Sequence, residues 1–307
     1  MDKKPSGRPL RQPNLPDGRV TLAAVSERET ALIEALLRRG LFVLPIPPAA
    51  ALGQGSTASH PDMLLCPMGA GRILLDQSLC GLSSFLKEQT FNVQIASLKL
   101  ESKYPNDCCL NCARVGEHAF CGRSAAPELI EFWEGEGLRI HRVRQGYCKC
   151  GLCVVSEEAV ITADPGLAAA ARHAGLEVLQ IRPGFIELPG YAYGFLGGAS
   201  GKLAPDLLAF CGEIESHPDY VEMRDFAAKH GVRLLSLGGG RLRDCGAILP
   251  LLCIEDRETR CSRQPDGCSN RDGHDCLGRC DRHRSAEGCI MQFLKNKGQP
   301  NAPDVCV

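Results

Sequence analysis

The sequence has few aromatic residues and no excess of charge of either sign. Aromatic side chains make up 5% of its 307 residues, with a single tryptophan, so a packed core has to be aliphatic. Lysine and arginine number 35 against 36 aspartate and glutamate, which leaves a net charge of −1. Proteins that bind nucleic acid usually carry a basic excess, so this balance argues against a nucleic-acid partner.

Long apolar runs are missing as well. None approaches the roughly 20 residues that a membrane-spanning helix requires. The first twenty residues contain Lys3, Lys4 and four prolines in place of the apolar centre of a signal peptide. We therefore expect a cytoplasmic protein without a membrane partner.

Cysteine, by contrast, is frequent, at 18 of the 307 residues. In a reducing compartment most of these thiols are expected to be small buried groups, with a minority reactive or bound to metal. Cys148 and Cys150 stand two residues apart in what we predict to be a strand, where alternate side chains share a face and could hold one soft metal ion. Because zinc sites usually occupy turns, we favour the interpretation of both as core residues.

Composition divides the chain into three segments. Residues 1–18, rich in proline and arginine, are predicted to be a disordered leader, and residues 19–254 a single domain. Residues 255–307 are rich in Cys, Arg and Gly, almost lack apolar periodicity and are predicted to be a disordered tail. In this tail His274, Cys276, Cys280 and His283 have ligand types that could bind zinc, and a disulfide module is a third possibility. No other cofactor is expected.

Within the predicted domain one pattern recurs, a helix often closed by glycine and then a short apolar strand. The five strands are predicted at residues 41–46, 91–97, 138–143, 176–181 and 232–237. Four of them follow a glycine at the position where glycine ends a helix, namely Gly40, Gly137, Gly175 and Gly231. Further strands, often hairpins, are predicted before four of the helices, at 63–75, 111–121, 152–162 and 193–203.

One strand is left over at residues 245–252, and the N-terminal unit at 19–47 has only a weak first strand. If the leftover strand pairs with the N-terminal unit, the chain is an α/β protein built as a propeller-like closed ring of five ββαβ units. The last strand then closes onto the N-terminal unit. The alternative is an ordinary α/β sandwich with irregular crossovers.

Three sets of motifs carry a resemblance to known proteins. The stretch from Tyr104 to Asp107 (YPND), followed by Asn111, resembles the segment with the guanidinium-binding carboxylates in arginine deiminase-like enzymes. Three glycines at 238–240, ahead of the pair Asp244-Cys245, resemble the segment before the nucleophilic cysteine of those enzymes. Residues 145–150 (QGYCKC), 188–191 (LPGY) and 194–201 (GFLGGASG) are similar to an uncharacterised bacterial family. All of these proteins have the pentein fold of guanidino-group-modifying enzymes.

The resemblance implies a central pocket, because the inner strands of a ring converge on its axis. Cys245 is then the candidate nucleophile, and Asp107, Asn111, Tyr193 and Asp244 are the candidate ligand-binding residues. Asn111 stands where the family has a second carboxylate, and an amide cannot neutralise a cation. The structural alternatives are a buried apolar role for Cys245 and a turn for Asp107.

The histidine expected of a hydrolase is missing from its usual strand. That strand corresponds to residues 187–193 (ELPGYAY), which contain no histidine. His217 lies downstream as a candidate acid or base, although His217-Pro218-Asp219 is also typical of a helix entrance. The set of catalytic residues that such a hydrolase requires is therefore incomplete.

Three functions remain open from the sequence. The first is a protein that binds a small guanidino, amidino or amino-acid-like ligand in its central pocket. The second is a cysteine-dependent hydrolase acting on the C–N bonds of amidines. The third is a structural or interaction protein whose centre is filled by side chains.

Truncation of the tail tests the predicted domain boundary. Residues 255–288 contain one large aliphatic side chain, Leu277, too little to offset a backbone entropy of roughly 1–2 kcal/mol per ordered residue. We expect truncation after Glu255 to leave the melting temperature nearly unchanged and truncation before Cys245 to unfold the protein. A large drop in melting temperature after the first truncation, reproduced by adding a chelator to the full chain, would instead indicate zinc in the tail.

Overall fold

Each repeat forms a small sheet with one antiparallel and one parallel pairing. The computed structural model describes residues 4–254 of the chain. In four sheets a hairpin is followed by a helix and then by a third strand that runs parallel to the second. These sheets consist of β4 (Leu65–Gly69), β5 (Arg72–Leu75) and β6 (Asn92–Ile95); β7 (Ala113–Val115), β8 (His118–Cys121) and β9 (Arg139–Arg142); β10 (Cys153–Val154), β11 (Ala159–Thr162) and β12 (Glu177–Gln180); and β13 (Ser200–Ala204), β14 (Leu207–Glu213) and β15 (Arg233–Arg241).

The ring closes in the N-terminal sheet. Its strands are β1 (Arg8–Pro9), β2 (Arg19–Ser26), β3 (Phe42–Ile46) and β16 (Leu249–Ile254), in the order β1-β16-β2-β3. The strand β16 pairs antiparallel with β2, which pairs parallel with β3. The last strand therefore supplies the hairpin partner that the N-terminal unit lacks, and the predicted five-unit ring is confirmed.

One helix covers the parallel crossover in each unit. These helices are α1 (Thr30–Arg38), α3 (Ser83–Glu88), α4 (Pro127–Gly135), α6 (Pro165–His173) and α7 (Tyr220–Lys229), while the short α2 (Pro61–Leu64) and α5 (Cys148–Gly151) lie between units. Local chemistry explains where α6 begins, since the Asp164 side chain accepts from the Leu167 N–H and Pro165 occupies the first turn. No helix in residues 4–254 is long and apolar enough to cross a membrane.

The N-terminal segment differs from the disordered leader that we expected. The Leu10 N–H donates to the Leu251 carbonyl at 3.2 Å, and Pro9 lies opposite Leu252 in the register of β1 and β16. The Leu10 side chain is buried. Proline-rich composition is compatible with this position because the outer side of an edge strand needs no N–H donors.

Two further boundaries differ from the sequence predictions. Residues 193–199 form a loop, so the last hairpin consists of β13 and β14, and the second of these strands was missed. The closing strand begins at Leu249 and not at Cys245. The predicted tail at 255–307, with its candidate zinc ligands His274, Cys276, Cys280 and His283, lies outside the described residues.

Removal of the N-terminal segment should destabilise the ring. Deletion of residues 1–18 exposes the backbone edge of β16 and removes the buried Leu10 side chain. The buried leucine and the hydrogen bonds from residues 1–18 to the rest of the domain, such as Leu10 to Leu251 and Thr21 to Ser6, correspond to at least about 3 kcal/mol of unfolding free energy, which urea denaturation can measure. Deletion of residues 1–3 is the control, and equal stability of the two truncated proteins would contradict the observed docking.

Candidate active site

A cavity of about 350 Å³ opens where the connections between units meet. Four of these connections line it: β3 to β4, β9 to β10, β12 to β13, and β15 to β16. The side chains that define its chemistry are His60, Tyr147, Cys150, Tyr193, Phe195 and Asp244. The site thus draws on residues that are far apart in the sequence.

Asp244 supplies a carboxylate to the wall of this cavity and is only 3% exposed. Its Oδ2 accepts from the Phe195 N–H at 2.9 Å, and its Oδ1 accepts from the Gly246 N–H at 3.1 Å. His60 Nδ1 lies 3.7 Å from Oδ1. Burial raises the pKa of Asp244, while His60 and the two N–H donors oppose the rise.

The candidate nucleophile Cys245 does not face the cavity. Arg243 forms an isolated bridge to Glu187, so the chain is extended here and consecutive side chains point to opposite sides. Asp244 therefore faces the cavity, and Cys245 is fully buried in a core cluster with side chains of β2 and α1. The neighbouring Cys211 thiol and burial raise the pKa of the Cys245 thiol well above its ordinary value, and this thiol donates to the Gly198 carbonyl at 3.4 Å. Of the two adjacent candidates that the sequence named, Asp244 lines the cavity and Cys245 does not.

Two glycines make room for the buried groups around Asp244. A Cβ atom at Gly198 would lie 2.1 Å from Asp244 Oδ1. Gly246 has a φ of +73°, and a Cβ atom there would lie 2.3 Å from His60 Cβ. Glycine is required at both positions because any side chain would displace the carboxylate or the imidazole.

Asn111 is fully buried and holds the neighbouring segments together. Its Oδ1 accepts from the backbone N–H groups of Lys149 and Cys150 at 2.8 and 3.1 Å. Its Nδ2 donates to the Asp62 carbonyl at 3.2 Å and to Cys150 Sγ at 3.0 Å. An aspartate could accept these bonds and could not donate them, which explains an amide at a position where the resemblance leads one to expect a carboxylate. Asn111 positions Cys150 and does not itself line the cavity.

His60 is a site residue that the sequence did not point to, and Cys150, which was expected to be a core residue, also lines the cavity. Cys150 Sγ donates to Asp62 Oδ2 at 3.0 Å, and the thiol faces the cavity. Burial and the charges of Asp62 and Asp244 raise its pKa well above the ordinary value, so the thiol stays protonated at neutral pH. Cys150 belongs to the motif at 145–150, whereas His60 lies in a loop of small residues that gives no periodic signal.

Aromatic rings form the other side of the cavity. Tyr147 lies between the cavity and Asp107, and its hydroxyl donates to Asp107 Oδ2 at 2.6 Å. Burial and this hydrogen bond raise the pKa of Tyr147. The Phe195 ring contacts those of Tyr147 and Tyr193 at centroid distances of 6.3 and 6.4 Å. Asp107 thus reaches the site through Tyr147, while Tyr193 lines it directly.

His217 lies at the entrance of α7 and outside the cavity lining. Its Nδ1 accepts from the Asp219 N–H at 3.0 Å, and its ring meets Phe185 edge-on. The imidazole is buried, which lowers its pKa. This geometry matches the helix-entrance interpretation of the motif.

The paired cysteines of the motif at 145–150 do not share a face. Cys148 and Cys150 lie on the single turn of α5 and not on a strand. Cys148 packs into the core, and Cys150 faces the cavity. Across residues 4–254 no three Cys, His, Asp or Glu side chains are grouped as a metal site would require.

Solved structures to which this chain is similar include several enzymes. An inosamine-phosphate amidinotransferase from Streptomyces griseus is 11% identical with a TM-score of 0.51, over 81% of this chain and 98% of that one. The amidinotransferase SxtG of the saxitoxin pathway from Microseira wollei is 11% identical with a TM-score of 0.49, over 76% and 92% of the two chains. A substrate-bound agmatine deiminase from C. jejuni is 9% identical with a TM-score of 0.49, over 82% and 97%.

The first of these structural matches and the five-unit ring define the protein as a pentein-fold protein. Its sequence matches the profile of a family of unknown function (DUF6873) over residues 24–249, and the chain belongs to that family. No curated protein matches the sequence.

Replacement of Asn111 tests its structural role. Asn111→Ala leaves the Cys150 N–H buried without an acceptor and leaves the Lys149 N–H only its longer bond of 3.4 Å to the carbonyl of residue 111, and an unsatisfied buried group costs about 1–3 kcal/mol. The Asp62 carbonyl also loses its side-chain donor. We expect chemical denaturation to show a loss of roughly 2–4 kcal/mol in unfolding free energy. Asn92→Ala on the exposed face of β6 is the matched control. A loss no larger than that of the control would show that the amide is dispensable.

Proposed function

We propose that the cavity binds a small ligand with a guanidinium or amidinium head group. The observation that carries this proposal is the carboxylate of Asp244, which is buried in the cavity wall. No lysine or arginine is found among the described residues that line the cavity. The site therefore offers a negative charge in a desolvated setting, where a cation is attracted strongly.

The geometry around Asp244 leaves it able to bind a planar cation. Each of its oxygens accepts one backbone N–H and keeps a second lone pair. A guanidinium or amidinium group can donate two parallel hydrogen bonds to one carboxylate. The rings of Tyr147, Tyr193 and Phe195 supply aromatic surface for the same cation.

The size of the cavity favours a small molecule. Ligand pockets usually measure about 300–1,000 Å³, and this one lies near the lower end with about 350 Å³. An open cavity also argues against a centre filled by side chains, as a purely structural protein would have. The amidino group in the name of the S. griseus enzyme agrees with the proposed ligand class.

The thiols favour binding over hydrolysis. A nucleophilic cysteine normally has a lowered pKa, in an electropositive and partly exposed place. Cys150 is the thiol in the cavity wall, and its pKa is raised by burial and by two carboxylates. Cys245 is buried on the far side of the chain from Asp244. Neither thiol has the environment that attack on an amidine carbon requires.

Calorimetric titration with guanidinium, agmatine, arginine and methylated arginines tests the proposal. We expect binding of at least one of these cations, and a loss of roughly tenfold or more in affinity for Asp244→Asn, since hydrogen bonds to charged groups contribute about 1.5–3 kcal/mol. Asp225→Asn on the exposed face of α7 is the matched control. Absence of binding across the panel would contradict the proposal, and release of ammonia or an amine would favour the hydrolase.

The affinity should also depend on pH with a definite sign. Asp244 binds a cation only when ionised, and its pKa is raised. Affinity should therefore increase as the pH rises through this raised pKa, and binding below it should release a proton. Titrations in buffers of different ionisation enthalpy measure that proton. An affinity that falls over the same range would exclude Asp244 as the binding carboxylate.

A further inference from the structure

The wall of the cavity contains a carboxylate but, within residues 4–254, neither a lysine nor an arginine. Asp244 is that carboxylate, and the basic side chain beside it, His60, has its Nδ1 at 3.7 Å from Asp244 Oδ1. The imidazole is thus directed to a carboxylate of the chain itself. A carboxylate on a ligand would lose its hydration close to Asp244 without gaining a cationic partner.

Two cations that are near the lining in the sequence are bound elsewhere. Lys149 precedes Cys150, but its side chain is buried and its Nζ donates to the Gly197 carbonyl at 3.1 Å. Arg28 Nη1 donates to the Gly55 carbonyl at 2.6 Å. Neither residue lines the cavity, so neither is placed to pair with an anionic group of a ligand.

A second carboxylate lies behind the thiol of the cavity wall. Asp62 is buried, and its Oδ2 accepts from the Cys150 thiol at 3.0 Å. Asp62 Oδ1 is also buried and has no hydrogen-bond partner among the described residues. Asp62 and Asp244 together outnumber the ammonium group of Lys149, so the charges around the cavity favour a cation and disfavour an anion.

The rest of the lining is uncharged. Met63, Leu188 and Ala192 contribute aliphatic atoms. Gln145 also lines the cavity, but its amide is already in use, since Nε2 donates to Asp164 Oδ2 and Oε1 accepts from the Tyr147 N–H. Such a surface can pack against the methylene chain of an alkylguanidine, whereas it offers no hydrogen-bond donor with a positive charge to a carboxylate.

We propose that the ligand of this cavity is a guanidine or amidine without a carboxylate, so that the site accepts alkylguanidines such as agmatine and excludes arginine and other guanidino acids. The inference rests on the proposed binding of a guanidinium head group by Asp244 and narrows the class of ligand. Discrimination follows from the charges around the cavity, which leave an anionic group unpaired, and not from the size of the ligand.

Calorimetric titration of the full chain with argininamide and arginine tests this exclusion. The two molecules are nearly equal in size and share the guanidinium group, but one ends in a neutral amide and the other in a carboxylate. Butylguanidine and guanidinobutyrate form a second pair without an α-amino group. We expect the compound without the carboxylate to bind roughly tenfold or more tightly in each pair, because like charges and unpaired buried charges are costly.

The outcomes separate the exclusion from the guanidinium site itself. If either acid binds as tightly as its counterpart, the exclusion is overturned and the guanidinium site stands. If none of the four compounds and no agmatine binds, the guanidinium site is contradicted and the exclusion with it.

A positive charge placed at the mouth of the cavity provides the reverse test. Tyr191 lines the cavity and is 54% exposed, so Tyr191→Arg introduces a guanidinium without disturbing the core. This variant should reduce the preference for argininamide over arginine by roughly threefold or more. In the matched neutral variant Tyr191→Gln, both affinities should change by the same factor. A preference that Tyr191→Arg leaves unchanged would show that a missing counter-charge is not what excludes arginine, which overturns the proposal.

Discussion

The pairing of β16 with β2 is the constraint on which the rest of the molecule depends. A ring of five units needs its two ends to meet, and here the end of the domain supplies the antiparallel strand that the first unit lacks. The same pairing fixes the connection from β15 to β16, which carries Asp244. Without closure the four connections that line the cavity would have no common centre. Fold and site are therefore completed by the same strand.

A buried carboxylate is costly, and the surrounding sequence is arranged to offset that cost. Asp244 accepts two backbone N–H groups and lies close to His60. Gly198 and Gly246 lack the side chains that would displace these partners. The glycine-rich loop at 194–201 thus holds the Asp244 carboxylate in place, since the Phe195 N–H donates to it. Since burial still raises the pKa of Asp244, the group gains most from a partner that brings a positive charge.

Much of the fold could be predicted because its signals are local. Apolar strands that follow a helix and a glycine recur along the chain, and the leftover strand at its end pointed to closure. The missed strand β14 has a physical reason, since aromatic and apolar residues at 193–196 resemble a strand although two of them line the cavity. The edge strand β1 escaped detection because its proline-rich composition is also typical of disorder. Local sequence patterns do not distinguish a cavity loop from a strand, or a docked edge strand from a disordered leader. Only long-range packing determines which of the two forms.

The sequence named Asp244 and Tyr193, which both line the cavity, and it also named Cys245, which does not. Which of two adjacent side chains faces the cavity depends on how the extended chain enters the site. Here the Asp244 side chain faces the cavity and the Cys245 side chain lies in the core. Asn111 was found by resemblance, but its role follows from N–H groups at the turn of α5, which was taken for a strand. His60 enters from a loop whose composition has no functional signature.

The short segment from Asp244 to Gly246 connects the cavity to the core of the domain. Asp244 faces the cavity, and the thiol of the next residue, Cys245, lies in the core and donates to the Gly198 carbonyl at 3.4 Å. The same stretch is held by the Gly198 carbonyl and by contact of Gly246 with His60, so it has little freedom to move on one side alone. A shift of Cys245 in the core therefore acts directly on the backbone that presents the Asp244 carboxylate, so the packing behind the cavity and the shape of the cavity are physically linked.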